Sequence, residues 1–166
     1  MNQQNLPEAV FETLEEKPLL MTGFKPAALI YTYTQPKHVQ VIDVEKYDLV
    51  CSGVAEDVVS HLPKINVMFA IKADTLETVE NSIYIEADVK KRNLRTAYKR
   101  NDRPTVLTNG KLHNGLNRNV RLVMRSGHVL TGQLIKYSAF NIVLNINGAL
   151  VLVYRHGVLE YSIRPL

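Results

Sequence analysis

The densest run of chemically capable side chains lies at 88–103, where Lys90, Lys91, Arg92, Arg95, Lys99, Arg100 and Arg103 crowd into one stretch that stops at Pro104. Such a segment can neutralise phosphates, giving salt-sensitive affinity for a polyanion without reading its sequence. A solvated spacer whose charges pair with acids elsewhere in the chain accounts for it equally well. Leu94, Ala97 and Tyr98, spaced i, i+3, i+4, predict a short amphipathic helix within it. Catalytic chemistry finds little support. The five histidines, His38, His61, His113, His128 and His156, show no ligand spacing. Cys51 is the only cysteine, which excludes an intrachain disulfide and a multi-cysteine metal site, and it reads as a small core residue. No Gly-rich phosphate loop follows a strand. Glu12, Glu15 and Glu16 read as the solvated side of a helix. The expectation is a protein that is not an enzyme and carries neither cofactor nor metal.

The elements that would hold these residues belong to an ordinary globular protein, with 46% hydrophobic and 22% charged residues. The net charge of +4 conceals an asymmetry. Through Val89 there are 6 Lys and Arg against 14 Asp and Glu, a balance of −8; from Lys90 onward there are 14 against 2, a balance of +12. The second part is therefore a candidate polyanion binder. The beginning MNQQNLPEAV has neither the basic nor the apolar region of a leader. No apolar run approaches the roughly 18 residues of a membrane span. A cytoplasmic location without membrane attachment is expected.

The chain also carries an internal echo. Residues 25–52 align without a gap on 118–145 at a constant offset of 93, pairing Leu29 with Leu122, Gln40 with Gln133, Ile42 with Ile135, Tyr47 with Phe140 and Val50 with Val143. After a one-residue shift, 66–72 matches 158–164. In the second copy, turn residues separate short β-branched runs, predicting strands at 120–124, 128–137, 141–146, 149–154 and 158–163. Gly132 suggests a bulge or bend in the long strand. Asn147-Gly148 is a two-residue hairpin signal, and Arg155-His156-Gly157 a tight corner. Ahead of the first copy, 7–16 reads as a helix with Pro7 at its first position and an apolar face of Val10, Phe11 and Leu14. Asn109-Gly110 and Asn114-Gly115 argue against an equivalent helix before the second copy.

Two motifs in the second copy carry a resemblance: Gly127-x-x-Leu130-x-Gly132-x-x-x-x-Tyr137-x-x-Phe140-x-Ile142-Val143-Leu144, and Val153-Tyr154-Arg155-His156-Gly157. They resemble the Sm/LSm superfamily, in particular bacterial Hfq, with Arg155 in place of a lysine. The resemblance covers 120–164; the first copy shares it only through the repeat and has Leu62-Pro63-Lys64 at the corner. It implies a mostly β fold of tandem, Sm-like, five-stranded bent sheets, or partly open barrels, with an N-terminal helix. It further implies strand edges that pair between subunits, so that three two-unit chains would close a pseudo-hexameric ring. By the same resemblance Phe140 would stack on an RNA base, while Tyr154, Arg155 and His156 would meet base and phosphate. Tyr47 and Lys64 would form a weaker counterpart. Ser138-Ala139 replaces an Asp-Gln pair of the family, removing one group that could read a base. Core packing of Phe140 and local backbone bonding by His156 are the competing readings.

The resulting expectation is a divergent Sm-like domain at 1–74, a connector at 75–116 with the basic segment 90–103, and an Hfq-like domain at 117–166. Their joint function would be to hold single-stranded RNA in a homo-oligomeric ring without catalysis. The alternative is a ring-forming protein-interaction or scaffold module that has lost RNA binding.

Overall fold

A computed structural model describes residues 16–23, 25–54, 57–97 and 107–165. Helix α1 is described over residues 16–20. Five strands follow, β1 (Ala27–Thr32), β2 (Pro36–Val44), β3 (Asp48–Gly53), β4 (Val59–Pro63) and β5 (Val67–Lys72). Next come α2 (Leu76–Glu80), the short β6 (Tyr84–Ile85), α3 (Ala87–Lys91) and α4 (Asn109–Gly115). The chain ends with β7 (Asn119–Met124), β8 (His128–Tyr137), β9 (Asn141–Ile146), β10 (Ala149–Tyr154) and β11 (Val158–Ile163). Among the described residues no helix is long and apolar enough to cross a membrane.

All eleven strands belong to one continuous sheet, ordered β11-β7-β8-β9-β10-β5-β1-β2-β3-β4, with β6 added against β8. Every pairing between these described strands is antiparallel. The strands of the second set begin 90 to 93 residues after those of the first. The two sets are nevertheless not two sheets. Val151, Leu152 and Val153 of β10 pair with Ile71, Ala70 and Phe69 of β5, joining the halves through backbone hydrogen bonds.

That junction explains the burial. Along β1, Leu29 and Tyr31 enter one core while Ala28 and Ile30 enter another; along β10, Val151 and Val153 enter the first and Leu152 and Tyr154 the second. Strands covered on both faces read as unbroken apolar runs rather than alternating ones. The sequences ALVLVY of β10 and VMFAIK of β5 have that character.

The expected tandem of bent five-stranded sheets or partly open barrels is therefore corrected: the fold is a single open sheet of eleven strands with few helices. The resemblance to the Sm/LSm superfamily and to Hfq is overturned with it. The physical reason lies in β5 and β10, whose edges pair with each other within one chain and merge the two strand sets into one sheet.

Local expectations also change. The long strand shifts register between Leu134 and Lys136, not at Gly132. Gly132 instead permits a close approach, since a Cβ there would lie 2.5 Å from the Asn145 carbonyl oxygen. The two Asn-Gly pairs do not prevent α4, because the Thr108 side chain accepts from the Lys111 amide at 3.2 Å and caps it. The helix foreseen through Leu94 and Ala97 is also absent. Asn93 takes a left-handed φ of 54° just after α3, and residues 93–97 are not helical. Tyr98, and the predicted helix before residue 16, lie outside the described residues.

Candidate functional site

A cavity of about 610 Å³ opens where the two strand sets meet. The first set contributes Lys46 and Tyr47 from the β2–β3 turn and Asp48 at the start of β3, together with Pro63 at the end of β4 and Lys64 and Ile65 after it. Phe140 and Asn141 at the start of β9, Tyr154 at the end of β10 and His156 in the following turn come from the second set, and Glu16 of α1 completes the lining.

Its polar floor is built around one carboxylate. Glu16 is only 1% exposed. Its Oε1 accepts from Lys64 Nζ at 2.9 Å and from Asn141 Nδ2 at 3.2 Å, while its Oε2 accepts from the Tyr154 hydroxyl at 2.8 Å. A buried charge is tolerable when it is paired and hydrogen-bonded in this way. The expectation of a solvated Glu16 is corrected; Glu12 and Glu15 lie outside the described residues. The network leaves one atom over. The side-chain oxygen of Asn141 is buried and has no hydrogen-bond partner among the described residues.

The walls are aromatic. Tyr47 and Phe140 are 70% and 49% exposed, so Phe140 is a surface side chain rather than core. The Tyr154 and His156 rings stack with centroids 5.6 Å apart. His156 Nε2 lies 2.7 Å from the Val67 carbonyl oxygen, to which it must donate, because a carbonyl only accepts. Burial lowers the His156 pKa below the usual histidine value, with the backbone bonds at Val67 and Lys64 opposing the shift. The ring is thereby biased toward the neutral form, which suits hydrogen bonding better than general acid chemistry.

Of the residues singled out in the sequence, Phe140, Tyr154, His156, Tyr47 and Lys64 converge on this cavity. Arg155 does not line it. Its guanidinium donates to Asn109 Oδ1, Ser138 O and Leu107 O at 2.7–2.8 Å, tying the β10–β11 turn to the segment around α4 and to the β8–β9 turn. Lys90 and Arg95 line a second cavity of about 380 Å³ with Arg125, Ser126 and His128. Arg95 Nε also donates to Asn93 Oδ1 at 2.8 Å. Lys91 and Arg92 are exposed, and Lys99 and Arg100 lie outside the described residues. Glu16 and Asn141 were missed because their partners stand far away in the chain. An apolar neighbourhood around an Asn at the first position of a strand was the only available hint.

No family model, curated protein or solved structure matches this chain. Two functional expectations fall at this point. The open sheet lacks the closed, curled fold on which RNA held in a ring would depend, and the structure supplies no positive sign of RNA interaction. The pseudo-hexamer and the ring-forming scaffold rested on the same fold and are corrected for the same reason.

Proposed function

We propose that this chain is a binding module for a small, flat, aromatic molecule carrying an N–H donor, and that it catalyses no reaction. The observation that carries the reading is the side-chain oxygen of Asn141, a residue lining a largely apolar cavity, which is buried without a partner among the described residues. A buried acceptor left unsatisfied costs about 1–3 kcal/mol. A ligand whose N–H reaches it through a small shift of the side chains that cover it recovers that cost on binding. Cavities of roughly 300–1,000 Å³ with apolar walls and a few placed polar groups are the usual form of small-molecule sites. Tyr47 and Phe140 offer faces against which a flat ring can pack. The Glu16 carboxylate is occupied by three donors, so the floor is set for shape and orientation rather than for proton transfer.

The test compares 2-pyridone, a planar lactam with an N–H, with N-methyl-2-pyridone, which lacks that donor, by calorimetry and amide chemical shifts. The lactam should bind, and methylation should weaken it by about tenfold, as expected for one lost hydrogen bond. Asn141→Leu should remove the difference between the two probes, and Tyr47→Ala with Phe140→Ala should weaken both. Equal binding of the two probes to the wild type, or no binding of either, would overturn the reading.

A further inference from the structure

We propose that Glu45, Asp48 and His61 form a binding site for a divalent first-row transition-metal ion at the turn between β2 and β3. Their ligand atoms all lie within 4.8 Å of one another. The backbone brings them together for a definite reason. Asp43 pairs with Val50 and Val44 with Leu49, and the ladder continues through Glu45 N to Asp48 O at 2.9 Å, setting Glu45 opposite Asp48. On the other side, Val50 pairs with His61. Side chains directly opposite share a face, and residues two apart along a strand share it too, so Glu45, Asp48, Val50 and His61 all project to one side.

The pairing of Glu45 with Asp48 is itself unfavourable, because like charges directly opposite each other in a sheet repel. The neighbouring lysines do not relieve it. Lys46 lies over the Tyr47 ring, 4.9 Å from its centroid, and Lys17 pairs with Asp43 at 3.3 Å. Among the described residues the side chain in contact with Glu45 is the His61 imidazole, whose Nδ1 is 3.6 Å from Glu45 Oε2, beyond good hydrogen-bond length. A cation held by all three side chains relieves the repulsion.

Two carboxylates and an imidazole suit Zn²⁺, Mn²⁺, Fe²⁺ or Co²⁺, whereas Mg²⁺ and Ca²⁺ prefer oxygen alone. Ligand bonds of about 2.0–2.2 Å place tetrahedral donors roughly 3.3 Å apart. Modest rotation of the exposed Glu45 and His61 side chains closes the present spacing, and the remaining coordination positions face solvent. Strand pairing assembles this set, so chain spacing could not have revealed it. The site is independent of the aromatic-ligand reading, although Asp48 also lines that cavity.

The experiment titrates the metal-stripped full chain with Co²⁺, followed by visible absorption, and with Zn²⁺, followed by calorimetry. One ion per chain is expected, with Mg²⁺ failing to compete. His61→Ala should abolish the Co²⁺ absorption band, and so should Glu45→Gln combined with Asp48→Asn. His113→Ala should leave it unchanged, and far-UV circular dichroism will show that each variant is folded. Unaltered Co²⁺ binding in His61→Ala, or no binding by the wild type, overturns the proposal. Since His61 does not line the cavity, His61→Ala should also retain 2-pyridone binding, which separates failure of one proposal from failure of the other.

Discussion

Lys64 shows how a residue with an expected surface role becomes structural through its neighbours. Its ammonium lies 2.9 Å from Glu16, and both side chains are almost wholly buried. Removing one member of a buried pair strands the other charge, at a cost of about 3–5 kcal/mol, whereas neutralising both costs far less. Lys64→Met should therefore lower unfolding free energy by roughly that amount. Glu16→Gln in the same chain should restore most of it, because the amide oxygen still accepts a hydrogen bond and no charge remains. Urea unfolding of the single and double variants measures the coupling. Equal losses in the two variants would mean that the ion pair does not govern the floor of the cavity. At the same scale, Arg155 is better understood as a clamp than as a ligand group, since hydrogen bonds from its guanidinium join the β10–β11 turn to Asn109, Ser138 and Leu107.

At the scale of elements, β8 and β9 depend on a missing side chain. A Cβ at Gly132 would meet Asn145 O at 2.5 Å and Ile146 Cγ1 at 2.8 Å, and the first of these is backbone that cannot swing aside. Gly132→Ala should cost about 1–3 kcal/mol, as overpacking does. Gly110→Ala provides the contrast. It sits in α4 with only Thr108 Oγ1 nearby, at 4.0 Å, and should gain up to about 1 kcal/mol from helix propensity. Equilibrium unfolding should give opposite signs, and a neutral Gly132→Ala would refute the close-approach argument. The elements of the second strand set were legible because turn residues punctuate them. Asn147 and Gly148 both take positive φ, 54° and 89°, as a two-residue hairpin of that type requires. By contrast, α4 was hidden because its Asn-Gly pairs read as breakers while the Thr108 cap outweighed them. The β5–β10 pairing escaped because it joins segments about 80 residues apart, although their unbroken apolar runs already indicated strands buried on both faces. The candidate site was half legible for the same reason. Tyr47, Phe140, Tyr154 and His156 stand at recognisable turns, but Glu16 acquires its meaning only from Lys64, Asn141 and Tyr154.

Across the whole molecule, the junction between β5 and β10 leaves two strands at the ends of the sheet, β4 and β11. Each has an outer row of backbone donors and acceptors that no other described strand pairs, and such edges invite association with another chain. The β4 end is the more exposed of the two, with Val54, Val58 and Val59 presenting apolar surface to solvent. Pro63 at its C-terminal end gives only partial protection, because the other positions of β4 retain their amides. Light scattering should accordingly show a mass that rises above 18.8 kDa with concentration. Val59→Lys should suppress that rise, since a charge on an edge strand opposes pairing. The substitution is on the surface and should change folding stability by no more than about 0.5 kcal/mol. If the mass remains that of one chain at every concentration, or if Val59→Lys associates as the wild type does, the β4 edge is not where copies meet. The same variant leaves Glu45, Asp48 and His61 in place, so metal binding and self-association can be measured independently along one edge of the sheet.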